Sequence, residues 1–125
     1  FTRVATLLGE AGINMSAFTV SENSDFGILR LIVSDTEKAM KTLREHNYAV
    51  NEADVICLHC PNEPGSLAKA MQIITDAGIF IEYMYAFSQG DAANVIIRPD
   101  NVSQCAEVLK ANKLELLAAS DLYKL

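Results

Sequence analysis

The sequence predicts an α+β fold: two ferredoxin-like βαββαβ repeats side by side, built as antiparallel sheet with the helices on one face. Three observations lead there. Ala11-Gly12-Ile13 recurs as Ala77-Gly78-Ile79, an offset of 77 − 11 = 66, and the same offset carries Phe1 onto Leu67, Leu8 onto Ile74, Met15 onto Ile81, Leu43 onto Leu109 and Val50 onto Leu116. An offset held over half a chain marks a duplicated structural unit. A shift to 65 matches Asp35 with Asp100 and reads as one deletion in a hairpin. Second, the hydrophobic periodicity of the later half spells strand, helix, strand, strand, helix, strand. Third, the chain opens at Phe1 already inside a helical pattern, with no counterpart of residues 55–66. The first strand of repeat one is therefore expected to be missing and the chain truncated at its N-terminus. The repeats are expected over residues 1–53 and 54–125.

The elements follow in order. Phe1, Val4, Leu8 and Ala11 recur at helical spacing until Gly12 stops the helix. Residues 13–21 and 26–33 read as two strands of a hairpin around the polar turn Glu22-Asn23-Ser24-Asp25. Ser34-Asp35-Thr36-Glu37 has capping-box form and opens a helix to about residue 47. Residues 48–51 and 55–59 read as short strands. In the second repeat the helix covers 67–77, and the strand 79–87 places Ile79, Ile81, Tyr83, Tyr85 and Phe87 on one face by period two. Residues 93–98 return, Pro99-Asp100 leads into a helix marked by Val102, Cys105, Val108 and Leu109, and 114–118 closes the unit. The tail Ser120-Asp121-Leu122-Tyr123-Lys124-Leu125 echoes residues 53–58 and is expected to be a further strand.

The chain has 125 residues, half of them apolar, and a net charge of −6, enough for a buried core and no match for nucleic acid or an acidic membrane. No apolar run reaches transmembrane length, and no signal peptide is evident. Three cysteines cannot all pair, which suits a reducing cytoplasm.

The stretch with most chemistry is Cys60-Pro61-Asn62-Glu63-Pro64-Gly65-Ser66-Leu67. Two prolines and a glycine force a turn between a strand and a helix, and Gly65 permits close approach to the main chain. The N–H groups from Ser66 onward are expected to lack helical partners, with the positive end of the helix dipole behind them, so the turn can receive a carboxylate or phosphate. A tight turn with no ligand accounts for the same residues.

Asn62-Glu63-Pro64-Gly65-Ser66-Leu67 followed by Ala77-Gly78-Ile79 resembles the ACT family, small regulatory modules attached to enzymes of amino-acid metabolism. The first repeat matches only from its helix onward, and the whole looks like a bacterial tandem ACT protein carrying no enzyme domain. The resemblance implies that two units pair into one eight-stranded sheet and bind a free amino acid in the seam. It assigns ligand contacts to Asn62, Glu63, Pro64, Gly65, Ser66 and Leu67 on one side and to Ile13, Asn14 and Met15 on the other. Phe80 stands where the first repeat has Asn14, which puts a second, symmetric site in question. The function implied is that of an amino-acid sensor, with an enzyme or regulator as partner and homodimer formation open. The alternative is an assembly subunit whose seam mediates oligomerisation without ligand.

No catalytic residue or cofactor is expected. Cys57, His59 and Cys60 invite a zinc reading, but alternation splits them between two faces and no second cluster completes four ligands, so the cysteines are expected to be structural. His46 near a helix end suits a cation rather than a base. The aromatic run Tyr83, Tyr85, Phe87 lacks the basic flanks of a nucleic-acid platform, and Glu82 with Arg98 reads as a cross-strand pair.

Overall fold

The computed structural model describes residues 1–22 and 27–117, with Glu22 and Gln89 described by their backbone alone. The elements run α1 (Thr2–Glu10), β1 (Met15–Glu22), β2 (Gly27–Val33), α2 (Thr36–Glu45), β3 (Ile56–Pro61), α3 (Ser66–Asp76), β4 (Ile81–Gln89), β5 (Ala92–Pro99), α4 (Val102–Ala111) and β6 (Glu115–Leu117). Two compact units divide between Glu52 and Ala53.

In the second unit four antiparallel strands are ordered β4-β5-β3-β6, the ferredoxin-like arrangement. Ile56, Leu58 and Cys60 of β3 and Val95 and Ile97 of β5 point to the helices, where Ala70 and Ile74 of α3 and Cys105 and Leu109 of α4 meet them. The four-residue spacing within each helix presents one apolar face to the sheet. The first unit holds α1, a β1–β2 hairpin and α2 around Val4, Leu8, Ile13, Val33, Ala39 and Leu43. Among the described residues the strands thus form two sheets rather than one continuous sheet.

All four helices end alike. Ile13 N–H donates to the Leu8 carbonyl (2.9 Å) and Gly12 N–H to Gly9 (3.1 Å); the same pair of bonds follows α2, α3 and α4, through Tyr48 to Leu43, Ile79 to Ile74 and Leu114 to Leu109. This is the Schellman arrangement, in which the residue after the cap turns left-handed. Those residues are Gly12 (φ 74°), Asn47 (φ 68°), Gly78 (φ 72°) and Lys113 (φ 63°), with 78 − 12 = 66 and 113 − 47 = 66. The Ala-Gly-Ile motif is therefore a helix terminus, its Ile packing back on the residue whose carbonyl it caps.

The structure corrects the sequence reading in four places. The offset stays at 66 throughout, because the helix caps are Asp35 and Asn101 (101 − 35 = 66), and no deletion is needed. Asp35, not Ser34, caps α2: its carboxylate accepts from Lys38 N–H at 3.0 Å, so the expected capping box does not form. Residues 48–51 are not a strand, since a strand needs a ladder and none of the described strands runs beside them. Tyr48 and Val50 pack against the core instead, and the Val50 carbonyl accepts from the Arg44 guanidinium. Finally, the five apolar residues of 79–87 do not share a face. A bulge between Ile81 and Tyr83, matched in β1 between Met15 and Ala17, turns the strand over. Ile79 and Ile81 face the helices, whereas Tyr83, Tyr85 and Phe87 lie opposite Arg98, Ile96 and Asn94 on the other face. The strand expected for 120–125 lies outside the described residues.

Candidate functional site

The Pro-Gly turn is built by the end of β3. Pro61 is the last residue of the ladder with β5, and Asn62 N–H continues it by donating to the Asp91 carbonyl at 2.8 Å. A turn then closes through Ser66 N–H to Glu63 carbonyl (3.2 Å), and Gly65 carbonyl accepts from Lys69 N–H (3.0 Å) to start α3. The Ser66 N–H is thus already engaged, contrary to the expectation from sequence. The N–H groups of Leu67 and Ala68 are the ones that find no acceptor among the described residues, and no side chain caps α3.

Gly65 caps this helix at φ 89°, ψ −15°, the left-handed region that disfavours side chains. Nothing lies within 4 Å of the position a Cβ would take there. Asn62, Glu63, Pro64 and Gly65 are exposed, Ser66 is half-buried and Leu67 is 42% exposed. The result is a solvent-open turn with two N–H donors that have no acceptor among the described residues, at the positive end of an eleven-residue helix, an arrangement that favours an anionic oxygen.

The other predicted segment belongs to the first unit. Ile13 is buried in its core, and Met15 is half-buried against that core. Asn14 between them is exposed, and its backbone is fixed by two bonds: its N–H donates to Ser34 Oγ and its carbonyl accepts from Ser34 N–H, both 3.0 Å. At the equivalent place in the second unit Asp100 N–H donates to the Phe80 carbonyl (2.9 Å), and the Phe80 ring is 67% exposed.

One polar pair was not read from the sequence. Asn94, fully buried on β5, has its Oδ1 2.7 Å from Nδ1 of half-buried His59 on β3, directly across the ladder. With Oδ1 accepting, Nδ1 carries the imidazole proton. Asn94 Nδ2 finds no acceptor among the described residues. Asparagine in an otherwise apolar strand was the signal available.

The three cysteines are unpaired and buried. Burial pushes the Cys57 thiol up to about 11 and raises Cys60; burial and then the Asp100 charge raise Cys105. Between pH 9 and 11 an unfolded chain releases a proton that folded Cys57 retains, so stability should fall as pH rises through that window. Denaturant melts from pH 8 to 10.5 should show this fall, reduced in Cys57→Ala. Among the described residues no group of three or more His, Cys, Asp and Glu could hold a metal ion, and no helix is long and apolar enough to cross a membrane. The expected Glu82–Arg98 pair is present at 3.5 Å, and Arg98 also donates to the Asp54 carbonyl.

A βαββαβ unit carrying a Pro-Gly turn, preceded by a unit that repeats its αββα part, defines a class: the chain belongs to the ACT domain pair family, whose model matches residues 1–125. Among solved structures it is similar to protein BT0572 from Bacteroides thetaiotaomicron, with 54% identity over 99% of this chain and 86% of that one and a TM-score of 0.95. A structure described as a candidate glycine cleavage system transcriptional repressor matches at 14% identity over 93% of this chain and 85% of that one, with a TM-score of 0.41. No curated protein matches significantly.

Proposed function

We propose that this chain is a regulatory rather than catalytic module that senses a free amino acid in the cytoplasm and acts on an enzyme or regulator of amino-acid metabolism. The observation carrying this reading is the pair of N–H groups on Leu67 and Ala68 that have no acceptor among the described residues, next in sequence to the open turn at Gly65. They suit the ligand carboxylate, while the amide oxygen of exposed Asn62 suits its ammonium. We assign Glu63, Pro64 and Ser66 to the turn that shapes this receptor; in the first unit, Ile13 and Met15 hold the exposed Asn14 in place. We assign the repeats to residues 1–53 and 54–125, and any response to ligand to a change between two states of the chain. A ligand shifts their equilibrium only by the difference in its affinity for two states, commonly about 1–3 kcal/mol.

A second reading, assembly through the seam without ligand, is favoured by Phe80, a large exposed apolar ring in the place of Asn14. A thermal-shift panel of the twenty amino acids on the full-length protein separates the two. The sensor reading expects one or a few amino acids to raise Tm in a saturable manner. A flat panel, with Tm instead rising with protein concentration, would establish the assembly reading.

A further inference from the structure

We propose that Asn51-Glu52-Ala53-Asp54 is a hinge in the chain, bounded at each end by an arginine that pins a backbone carbonyl. Upstream, the Arg44 guanidinium of α2 donates to the Val50 carbonyl at 2.9 Å, and half-buried Val50 packs against the first core. Downstream, Arg98 of β5 donates through Nη1 to the Asp54 carbonyl, while its Nε pairs with Glu82 Oε2 at 3.5 Å. Ile56 lies opposite Ile97 in the β3–β5 ladder, so the arm of Arg98 extends the grip of the sheet two residues upstream of Ile56. Glu82 adds the bulge of β4 to the same anchor. Between the two pinned carbonyls, Asn51, Glu52, Ala53 and Asp54 run as exposed, irregular chain.

The repeat assigns these arginines to the connection rather than to the duplicated fold. At the 66-residue offset Lys110 stands for Arg44 (110 − 44 = 66) and Ile32 for Arg98 (98 − 32 = 66), so neither guanidinium recurs in the other copy. Lysine lacks the planar fork of arginine, and isoleucine has no donor at all. An ionised donor holds a carbonyl more firmly than a neutral one does, and it can do so where the backbone belongs to no helix or strand. Because the peptide group is planar, a pinned carbonyl also fixes the N–H of the next residue. The planes 50–51 and 54–55 are therefore held, and turning falls to the φ and ψ angles of the four residues between them, the usual composition of a hinge. The two pins are unequal. The Arg98 side chain is 29% exposed and braced by Glu82, whereas Arg44 is exposed, so water and salt weaken the upstream pin more.

Backbone 15N relaxation on the full-length protein tests this, comparing wild type with Arg98→Met and Arg44→Met, which keep a long apolar arm and remove the donor. In wild type the amides of 52, 53 and 54 should show order parameters below about 0.6, with those of 51 and 55 near about 0.85. Arg98→Met should carry the low values on to 55 and leave 51 unchanged. Arg44→Met should carry them back to 51 and leave 55 unchanged, with a smaller drop. Wild-type amides 52–54 as rigid as those of β3 and β5 would overturn the proposal, whether or not either variant folds. A flexible stretch with the same limits in all three proteins would overturn it too, by showing that the arginines do not set its ends.

Discussion

Leu109→Ala should destabilise the second unit by about 2–5 kcal/mol, the range for deleting a fully enclosed leucine. Leu109 is completely buried and sits among Leu58, Ile74, Val95, Ile97 and Cys105, so truncation opens a cavity walled by both helices and two central strands. Strands hydrogen-bonded on both edges cannot close over such a void, which sets the cost towards the upper end. Leu8→Ala is the comparison. Leu8 is equally buried, but among the described residues the sheet it packs under has two strands against four. That unit can relax into the space, so Leu8→Ala should cost less. Urea melts of both variants, followed by a probe in each unit, check the order; equal costs would show that the two cores resist collapse alike.

The second large effect concerns binding. Gly65→Val should abolish amino-acid binding, a loss of at least a hundredfold in affinity. Nothing lies within 4 Å of a Cβ at Gly65, so a valine side chain would occupy space now open beside the start of α3, where the ligand carboxylate is proposed to sit. A β-branched residue at φ 89° is also strained, at roughly 1–2 kcal/mol for the left-handed backbone. Gly65→Asn separates the two causes, because asparagine tolerates this conformation while still carrying a side chain. Calorimetry with the amino acid that raises Tm should find both variants folded and neither binding. Binding of wild-type strength by folded Gly65→Val would place the receptor elsewhere.

What could be read in the sequence was what has a local cause. The turn at Pro61, Pro64 and Gly65 and the helix stops at Gly12 and Gly78 were legible because proline and glycine restrict or free the backbone wherever they stand. The repeat was legible from the same punctuation. Features decided by distant partners were not. The bulge at Glu82 reverses the faces of β4, yet Ile79, Ile81, Tyr83, Tyr85 and Phe87 alternate without a break. Residues 48–51 have strand composition, but the ladder that would make them a strand must come from elsewhere in the chain. At the candidate site the turn was legible, whereas the choice of free donors was not: the Glu63 carbonyl engages Ser66 and passes that role to Leu67 and Ala68. Asn94 was overlooked because alternation ranks positions by apolarity and is silent on a buried amide paired with His59.

The left-handed residue after each helix bears on how the two halves have drifted apart since they were one sequence. At 12 and 78 both copies keep glycine; at 47 and 113 one has asparagine and the other lysine, within 5° of the same φ (68° and 63°). What was inherited there is a direction of travel for the chain, anchored by Leu43 and Leu109 receiving the bond that follows, and not a letter. Lysine in that pose costs the backbone on the order of 1 kcal/mol relative to glycine. A boundary of this kind can lose its sequence signature entirely and still return the chain to the same place, so kinship between such repeats outlives its legibility in their residues.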